Sequence, residues 1–124
     1  MLLLIIMAIY NFRKLEVWQY SMNLAKSVCN HVSEIPSDKR AGLISPVIKY
    51  TVSIPSNIAE GSDRSINKDF ANFLSVSFGS CYELETQLIM TNDIFNIDCE
   101  NAIMERHQAQ KMIVGFKNKL LTDK

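Results

Sequence analysis

The stretch from Phe70 to Phe95 reads FANFLSVSFGSCYELETQLIMTNDIF, and its apolar and small positions recur in steps of four and three. This spacing places one side chain per turn on the same face of an α-helix. The stripe consists of Phe70, Leu74, Ser77, Cys81, Leu84, Leu88, Thr91 and Phe95. The pattern predicts one long helix that is buried along this face, and Gly79 and Ser80 predict the close approach of another helix near its middle.

Three further segments repeat this rhythm. The first stripe consists of Leu15, Trp18, Met22, Ala25, Cys29 and Val32. The second follows the candidate N-caps Ser37 and Asp38 and consists of Leu43, Val47, Tyr50, Ile54 and Ile58. The last consists of Ala102, Arg106, Ala109, Ile113, Phe116 and Leu120. Four amphipathic segments with short connections predict an all-α fold, an antiparallel up-down four-helix bundle over residues 11–122.

The segment SIPSNIAEGSDRS, residues 53–65, has the residue types of a catalytic or phosphate-binding turn. It lacks the lysine and the glycines of a phosphate-binding loop, and it lacks the G-x-S-x-G pattern of a nucleophile elbow. We therefore interpret it as the end of the second helix, bent at Pro55 and closed by a left-handed Gly61. A hydroxyl from Thr51 or Ser53 is expected to compensate the Thr51 carbonyl that Pro55 leaves without a donor.

The chain begins with the apolar run MLLLIIMAIY, which we treat as an N-terminal extension over residues 1–10. The run is well short of the roughly 20 residues that span a bilayer, and it lacks the basic start and the cleavage site of a signal peptide. We expect no membrane partner. Natural translation is expected to start at Met7; the alternative is a segment that packs on the domain or on another subunit.

The composition points to a cytoplasmic protein without a cofactor. Lys and Arg total 13 and Asp and Glu total 13, so no global field draws the protein to nucleic acid or to an anionic membrane. Cys29, Cys81 and Cys99 form no C-x-x-C pair, and we expect free thiols. No metal site is expected, because neither His31 nor His107 follows a glutamate at the spacing of a di-iron bundle.

Glu83 and Glu85 are the nearest approach to a catalytic carboxylate pair. Two positions on a helix point in nearly opposite directions, so these side chains cannot share a proton. We expect one of them to contact a basic residue or Asn57 of the second helix, and the other to be solvated. No catalytic residue is assigned, and Trp18 is interpreted as a core residue.

Three blocks carry a resemblance to a known family: FRKLEVWQ at 12–19, SIPSNIAEG at 53–61 and GSCYELETQL at 79–88. In order and spacing they resemble the four-helix bundle proteins encoded by intervening sequences in bacterial 23S rRNA genes. The resemblance implies an up-down bundle. Through the related accessory proteins of diversity-generating retroelements, it also implies a ring-like pentamer that binds nucleic acid and a reverse transcriptase. The chain has Ile48 where relatives carry an arginine, which weakens the expected basic surface.

Five basic residues around the second helix and the turn after it are the candidate phosphate contacts. They are Lys39, Arg40, Lys49, Arg64 and Lys68. We predict a non-enzymatic homo-oligomer that binds structured RNA, DNA or a ribonucleoprotein, with a repeated weak patch compensating for zero net charge. The alternative is a protein-interaction scaffold that binds no nucleic acid and exposes a contiguous apolar patch.

Overall fold

The computed structural model describes residues 11–36, 38, 42 and 44–122, and within these ranges the regular structure is helical. A short 3-10 turn, Asn11–Lys14, precedes four α-helices. They are α1 (Glu16–Val32), α2 (Ile44–Ser62), α3 (Asn67–Phe95) and α4 (Glu100–Thr122). The all-α four-helix prediction is confirmed. Residues 1–10, Ser37 and Leu43 lie outside the described residues, so the proposed extension and two positions of the second segment stay predictions.

Cross-helix hydrogen bonds show how the helices run. Between α2 and α3, Ser53 pairs with Ser80, while the Ser77 hydroxyl donates to the Ile54 carbonyl. Between α3 and α4, Asn67 donates to the Leu120 carbonyl, and Gln110 donates to the Phe78 carbonyl. In each pair of helices the residue number rises on one side and falls on the other, so these neighbours are antiparallel. None of the described helices has the length and apolar character needed to cross a membrane.

The stripes predicted for α3 and α4 form the core. All stripe positions of α3 from Phe70 to Thr91 are buried, as are Ala102, Arg106, Ala109 and Ile113 of α4. Val47, Ile54 and Ile58 of α2 pack against them with no exposed area. The four-three rhythm therefore identifies the buried face of these helices correctly.

The stripe predicted for α1 is only partly right: Val32 is buried, and Leu15 and Trp18 are partly buried against the core. The buried residues are Val17, Ser21, Leu24, Val28 and Val32, whereas Cys29 is exposed. Ser21 fits this buried row because its hydroxyl donates to the Val17 carbonyl at 2.7 Å. Trp18 is only half-buried, and its ring meets that of Phe12 edge-on with 5.2 Å between ring centroids. The predicted row, which contains Trp18, is therefore the neighbour of the row that is buried.

The second helix begins at Ile44, later than the predicted caps, and runs through Pro55 to Ser62. Pro46 is its third residue, where a missing N–H costs nothing because first-turn N–H groups have no helical acceptor. The Thr51 hydroxyl donates to the Val47 carbonyl, and the Ser53 hydroxyl pairs with Ser80, so neither makes the predicted compensation of the Thr51 carbonyl.

Gly61 does not end α2 in a left-handed conformation, since no described glycine has a positive φ. It is required for packing instead. A Cβ at this position would lie 2.7 Å from Cδ1 of Phe70 and 2.8 Å from Cβ of Phe73. The left-handed residue is Asn96, whose φ of 55° ends α3.

Candidate functional site

Arg106 is the feature that departs most from an ordinary bundle core. It occupies a stripe position of α4, it is only 1% exposed, and it is one of the largest fully buried side chains. An arginine keeps its charge inside a protein, so it must be paired and hydrogen-bonded there. Its partners decide what this part of the bundle can do.

The partners come from α3 and from α4 itself. The guanidinium lies 3.3 Å from Oε2 of Glu85, contacts Nδ1 of His107 at 2.7 Å and donates to Oε1 of Gln110. Gln110 in turn donates to the Phe78 carbonyl at 3.3 Å, which ties the group back to α3. Nε of Arg106 has no hydrogen-bond partner. We call Glu85, Arg106, His107 and Gln110 the arginine cluster.

Glu83 and Glu85 separate as their spacing predicts. Glu85 faces α4, where Oε1 also lies 3.5 Å from Nε2 of His107. Glu83 accepts a hydrogen bond from the Tyr50 hydroxyl of α2, and this bond raises the pKa of Tyr50. The predicted interhelical contact of one glutamate with a basic residue is confirmed by Glu85 and Arg106, although this partner lies on the last helix. The alternative partner, Asn57, donates within its own helix to Ser53.

The buried thiol next to this cluster is held in its protonated form. Burial raises the pKa of Cys81 to about 11, although the nearby Arg106 acts in the opposite direction. Burial and the Asp98 carboxylate also raise the pKa of Cys99. A thiol is nucleophilic and metal-binding as its thiolate, so neither cysteine is activated. Among the described residues no group of three or more His, Cys, Asp or Glu side chains could hold a metal ion.

The middle of the bundle lies at the Ser53–Ser80 contact, and charge divides there. We call residues 11–22, 54–79 and 110–122 the cationic half. Its basic residues are Arg13, Lys14, Arg64, Lys68, Lys111, Lys117 and Lys119, and its acids are Glu16, Glu60, Asp63 and Asp69. The remaining described residues are the acidic half. Its acids are Glu34, Asp38, Glu83, Glu85, Asp93, Asp98, Glu100 and Glu105, against Lys26, Lys49 and Arg106. The charges of the described residues are therefore segregated along the bundle, although the whole chain has zero net charge.

The structure separates the residues that the sequence analysis grouped as phosphate contacts. Arg64 lies in the turn between α2 and α3, and Lys68 is the second residue of α3; both belong to the cationic half. Arg64 pairs with Glu60 at 3.3 Å and stacks 4.7 Å from the centroid of the Phe73 ring. Lys49 is exposed in the acidic half, about 20 Å along α2 from Ser62, the last residue before the turn that contains Arg64, at 1.5 Å per residue. Lys39 and Arg40 lie outside the described residues.

An open groove runs between α3 and α4 on the surface of the cationic half. One part, of about 390 Å³, is lined by Phe78, His107, Gln110, Lys111, Val114 and Gly115. A second part, of about 150 Å³, is lined by Ser75, Phe78, Ile113, Val114, Lys117 and Asn118. Phe78 and Val114 belong to both parts, so the groove is continuous. We call it the α3–α4 groove.

Neither the arginine cluster nor this groove was predicted from the sequence. The signal for the cluster was present, because Arg106 falls on the predicted apolar stripe of α4. The sequence contains no pattern that indicates the groove. Gly79 was expected to allow the close approach of another helix, but a Cβ at Gly79 would meet no atom within 4 Å. A Cβ at Gly115, which lines the groove, would also meet no atom within 4 Å. The prediction for Gly79 is wrong, whereas Ser80 is buried against Ser53 of α2.

Two comparisons bear on the identity of the chain. No curated protein matches its sequence. A family model described as 23S rRNA-intervening sequence protein matches residues 13–115, which is most of the chain and includes all three resembling blocks apart from Phe12. The match agrees with the helical bundle described above. The chain therefore belongs to the family of 23S rRNA-intervening sequence proteins.

Proposed function

We propose that this protein is a non-enzymatic, cytoplasmic, homo-oligomeric module that binds structured RNA, alone or in a ribonucleoprotein, through its cationic half. The family's name, which refers to 23S rRNA, is compatible with a role beside RNA. A binding role also agrees with the chemistry of the polar groups, because Glu85 and Arg106 neutralise each other and Cys81 stays protonated. Arg64 and Lys68 are the proposed phosphate contacts from the sequence analysis that lie in this half.

The observation that carries the proposal is the division of charge along the bundle. Salt screens exposed charges beyond a Debye length of about 8 Å at physiological ionic strength. The 29-residue α3 is about 44 Å long at 1.5 Å per residue. Most acids of the acidic half therefore lie more than one Debye length from a ligand bound at the cationic half. A phosphate backbone at the cationic half therefore meets a local excess of Lys and Arg, despite the zero net charge.

The outward face of α3 supports the homo-oligomeric part of the proposal. Its exposed large apolar side chains are Val76, Tyr82, Ile89, Met90 and Ile94. Contact with a second copy would remove these side chains from water, and self-association would repeat the cationic half several times. The same face is the observation in favour of the alternative function, a protein-interaction scaffold without nucleic-acid binding.

Fluorescence anisotropy across a salt series tests the proposal. The probes are a labelled RNA hairpin and a DNA duplex of equal length. We expect binding that weakens steeply with salt, and Lys68→Ala should reduce the slope of log K against log salt by roughly one because one phosphate contact is lost. Lys26→Ala is the matched control, since it removes the same charge from the acidic half.

Equal slopes for the protein and the Lys68→Ala variant would remove Lys68 from the interface. An absence of binding to either probe at low salt would overturn the nucleic-acid proposal and favour the scaffold. The subunit number is measured in parallel by light scattering, and a monomer at micromolar concentration would contradict the homo-oligomeric part. Lys39, Arg40 and Lys49 stay predictions, and their alanine variants belong in the same series.

A further inference from the structure

The α3–α4 groove combines three features in one place. Its floor is apolar, and its lining includes the half-buried Phe78 together with Val114 and Ile113. Gly115 leaves open space above the floor, because a Cβ there would meet no atom within 4 Å. Lys111 and Lys117 stand on its α4 side, and Lys117 Nζ also donates to the Ser75 hydroxyl of α3 at 2.7 Å.

The charges that border the groove have one sign. From residue 107 to residue 122, α4 carries Lys111, Lys117 and Lys119 and no acid, and α3 carries no charged side chain from residue 70 to residue 82. The Glu85 carboxylate lies beyond that stretch and is already engaged by Arg106 and His107. An occupant that matches this surface has a flat apolar body and an anionic group on either side of it.

Unpaired nucleotides have this chemistry. A base stacks on an aromatic ring whatever its sequence, while the phosphates on both sides of it are neutralised by basic side chains. A paired base offers no exposed face, so a duplex can contact the lysines without entering the groove. We infer that the α3–α4 groove binds an unpaired base of the RNA against Phe78, with the flanking phosphates on Lys111 and Lys117. This inference rests on the proposed function and specifies which part of an RNA the groove binds.

The arginine cluster is the positioning element of the groove. Arg106 holds Gln110, and Gln110 donates to the Phe78 carbonyl, so the buried cation fixes the α4 wall against the stacking residue of α3. Arg106 also contacts Nδ1 of His107, whose side chain closes the groove toward the acidic half. The guanidinium itself is buried and is not a phosphate contact.

The test compares a labelled single-stranded uridine oligonucleotide with an RNA duplex of the same length, by anisotropy with the full chain. Gly115→Leu adds an apolar side chain to the lining of the groove at a position where a Cβ meets no atom within 4 Å, and it raises helix propensity. Phe78→Leu removes the stacking ring. The matched control is Phe95→Leu, which makes the same change on another half-buried phenylalanine of α3, in the acidic half. Thermal melts verify that every variant is folded.

We expect Gly115→Leu and Phe78→Leu each to weaken single-strand binding by roughly tenfold, the range of one lost stacking contact, and to leave duplex binding unchanged. Phe95→Leu should change neither. Unchanged single-strand affinity in Gly115→Leu, with weaker binding in Lys68→Ala, would overturn the inference and leave the proposed function intact. Equal losses for single strand and duplex would also overturn it. Absence of binding to both probes would overturn the proposed function as well.

Discussion

The long helix α3 makes two unlike interfaces. Against α2 its inner contacts are neutral: Ser77 donates to the Ile54 carbonyl at 2.9 Å, Ser80 pairs with Ser53 at 2.8 Å, and Gly61 admits Phe70 and Phe73. The charged contact between these helices, Tyr50 with Glu83, involves an exposed carboxylate. Against α4 it faces the arginine cluster, which contains a buried cation with one unpartnered nitrogen, and the open α3–α4 groove. The first interface is closed and satisfied, whereas the second is charged and accessible.

This difference separates stability from function. A buried cation is held at a desolvation cost that well-packed apolar residues would avoid, so a charged interface is weak evidence for a structural role. Small side chains that close a gap between helices, by contrast, contribute directly to packing. The α2–α3 interface therefore serves packing, and the α3–α4 interface is the one at which we propose that a ligand binds.

The largest expected effect comes from removing the charge of Glu85. Glu85→Gln leaves Arg106 buried without a counter-charge, and breaking a buried pair in this way costs about 3–5 kcal/mol. Urea denaturation followed by circular dichroism measures the loss. The double variant Glu85→Gln with Arg106→Met removes both charges and should recover most of it. A loss under about 1 kcal/mol, the range of an exposed ion pair, would contradict the conclusion that the buried Arg106 needs Glu85 as its counter-charge.

The next effect belongs to the neutral interface. Gly61→Ala places a Cβ 2.8 Å from Cβ of Phe73, which is next to the backbone and cannot swing away. We expect a loss of about 2–3 kcal/mol, because overpacking forces the helices apart. Gly115→Ala is the matched control and should be neutral or stabilising, since its Cβ meets open space. Similar stabilities for the two variants would show that α2 and α3 are not in close contact at Gly61.

A smaller effect depends on pH. The pKa of Cys81 is about 11 in the folded protein against 9.0 as the ordinary value, so folding favours the protonated thiol. Its contribution to stability is complete below about pH 9 and is lost as the pH rises toward 11. At pH 10 the loss is about 1–1.5 kcal/mol relative to pH 8. Cys81→Ala should flatten the alkaline fall in unfolding free energy by that amount; equal profiles would contradict the shift.

The smallest effect tests the serine contacts between α2 and α3. Ser77→Ala deletes the hydroxyl that donates to the Ile54 carbonyl, and a single neutral hydrogen bond contributes about 1 kcal/mol. Thr86→Ala is the control, because its hydroxyl is on the exposed side of the same helix and donates to the Tyr82 carbonyl. Denaturant midpoints of the two variants give the comparison, and a larger loss for Thr86→Ala would contradict it.

Periodicity was sufficient where the buried row was unambiguous. In α3 and α4 the apolar and small residues form one row, and that row is buried. In α1 two adjacent rows of side chains are both apolar enough to form the buried face. The row that contains Trp18 was predicted to be buried, but Trp18 lies at the edge of the core. Gly61 was predicted to end the second helix in a left-handed conformation. A glycine needed for a positive φ and a glycine needed for close packing cannot be told apart in a sequence.

The amino-acid sequence by itself determined the helical class, the four-helix architecture and the family, because stripe spacing and local motifs are properties of contiguous residues. Only the tertiary structure decided which residues meet across helices: Arg106 with Glu85, Phe78 with Gln110, and Lys117 with Ser75. It also divided the charges into two halves, which zero net charge hides. These pairings join positions 21 to 42 apart in the chain, and only the packing of helices brings them within hydrogen-bond distance.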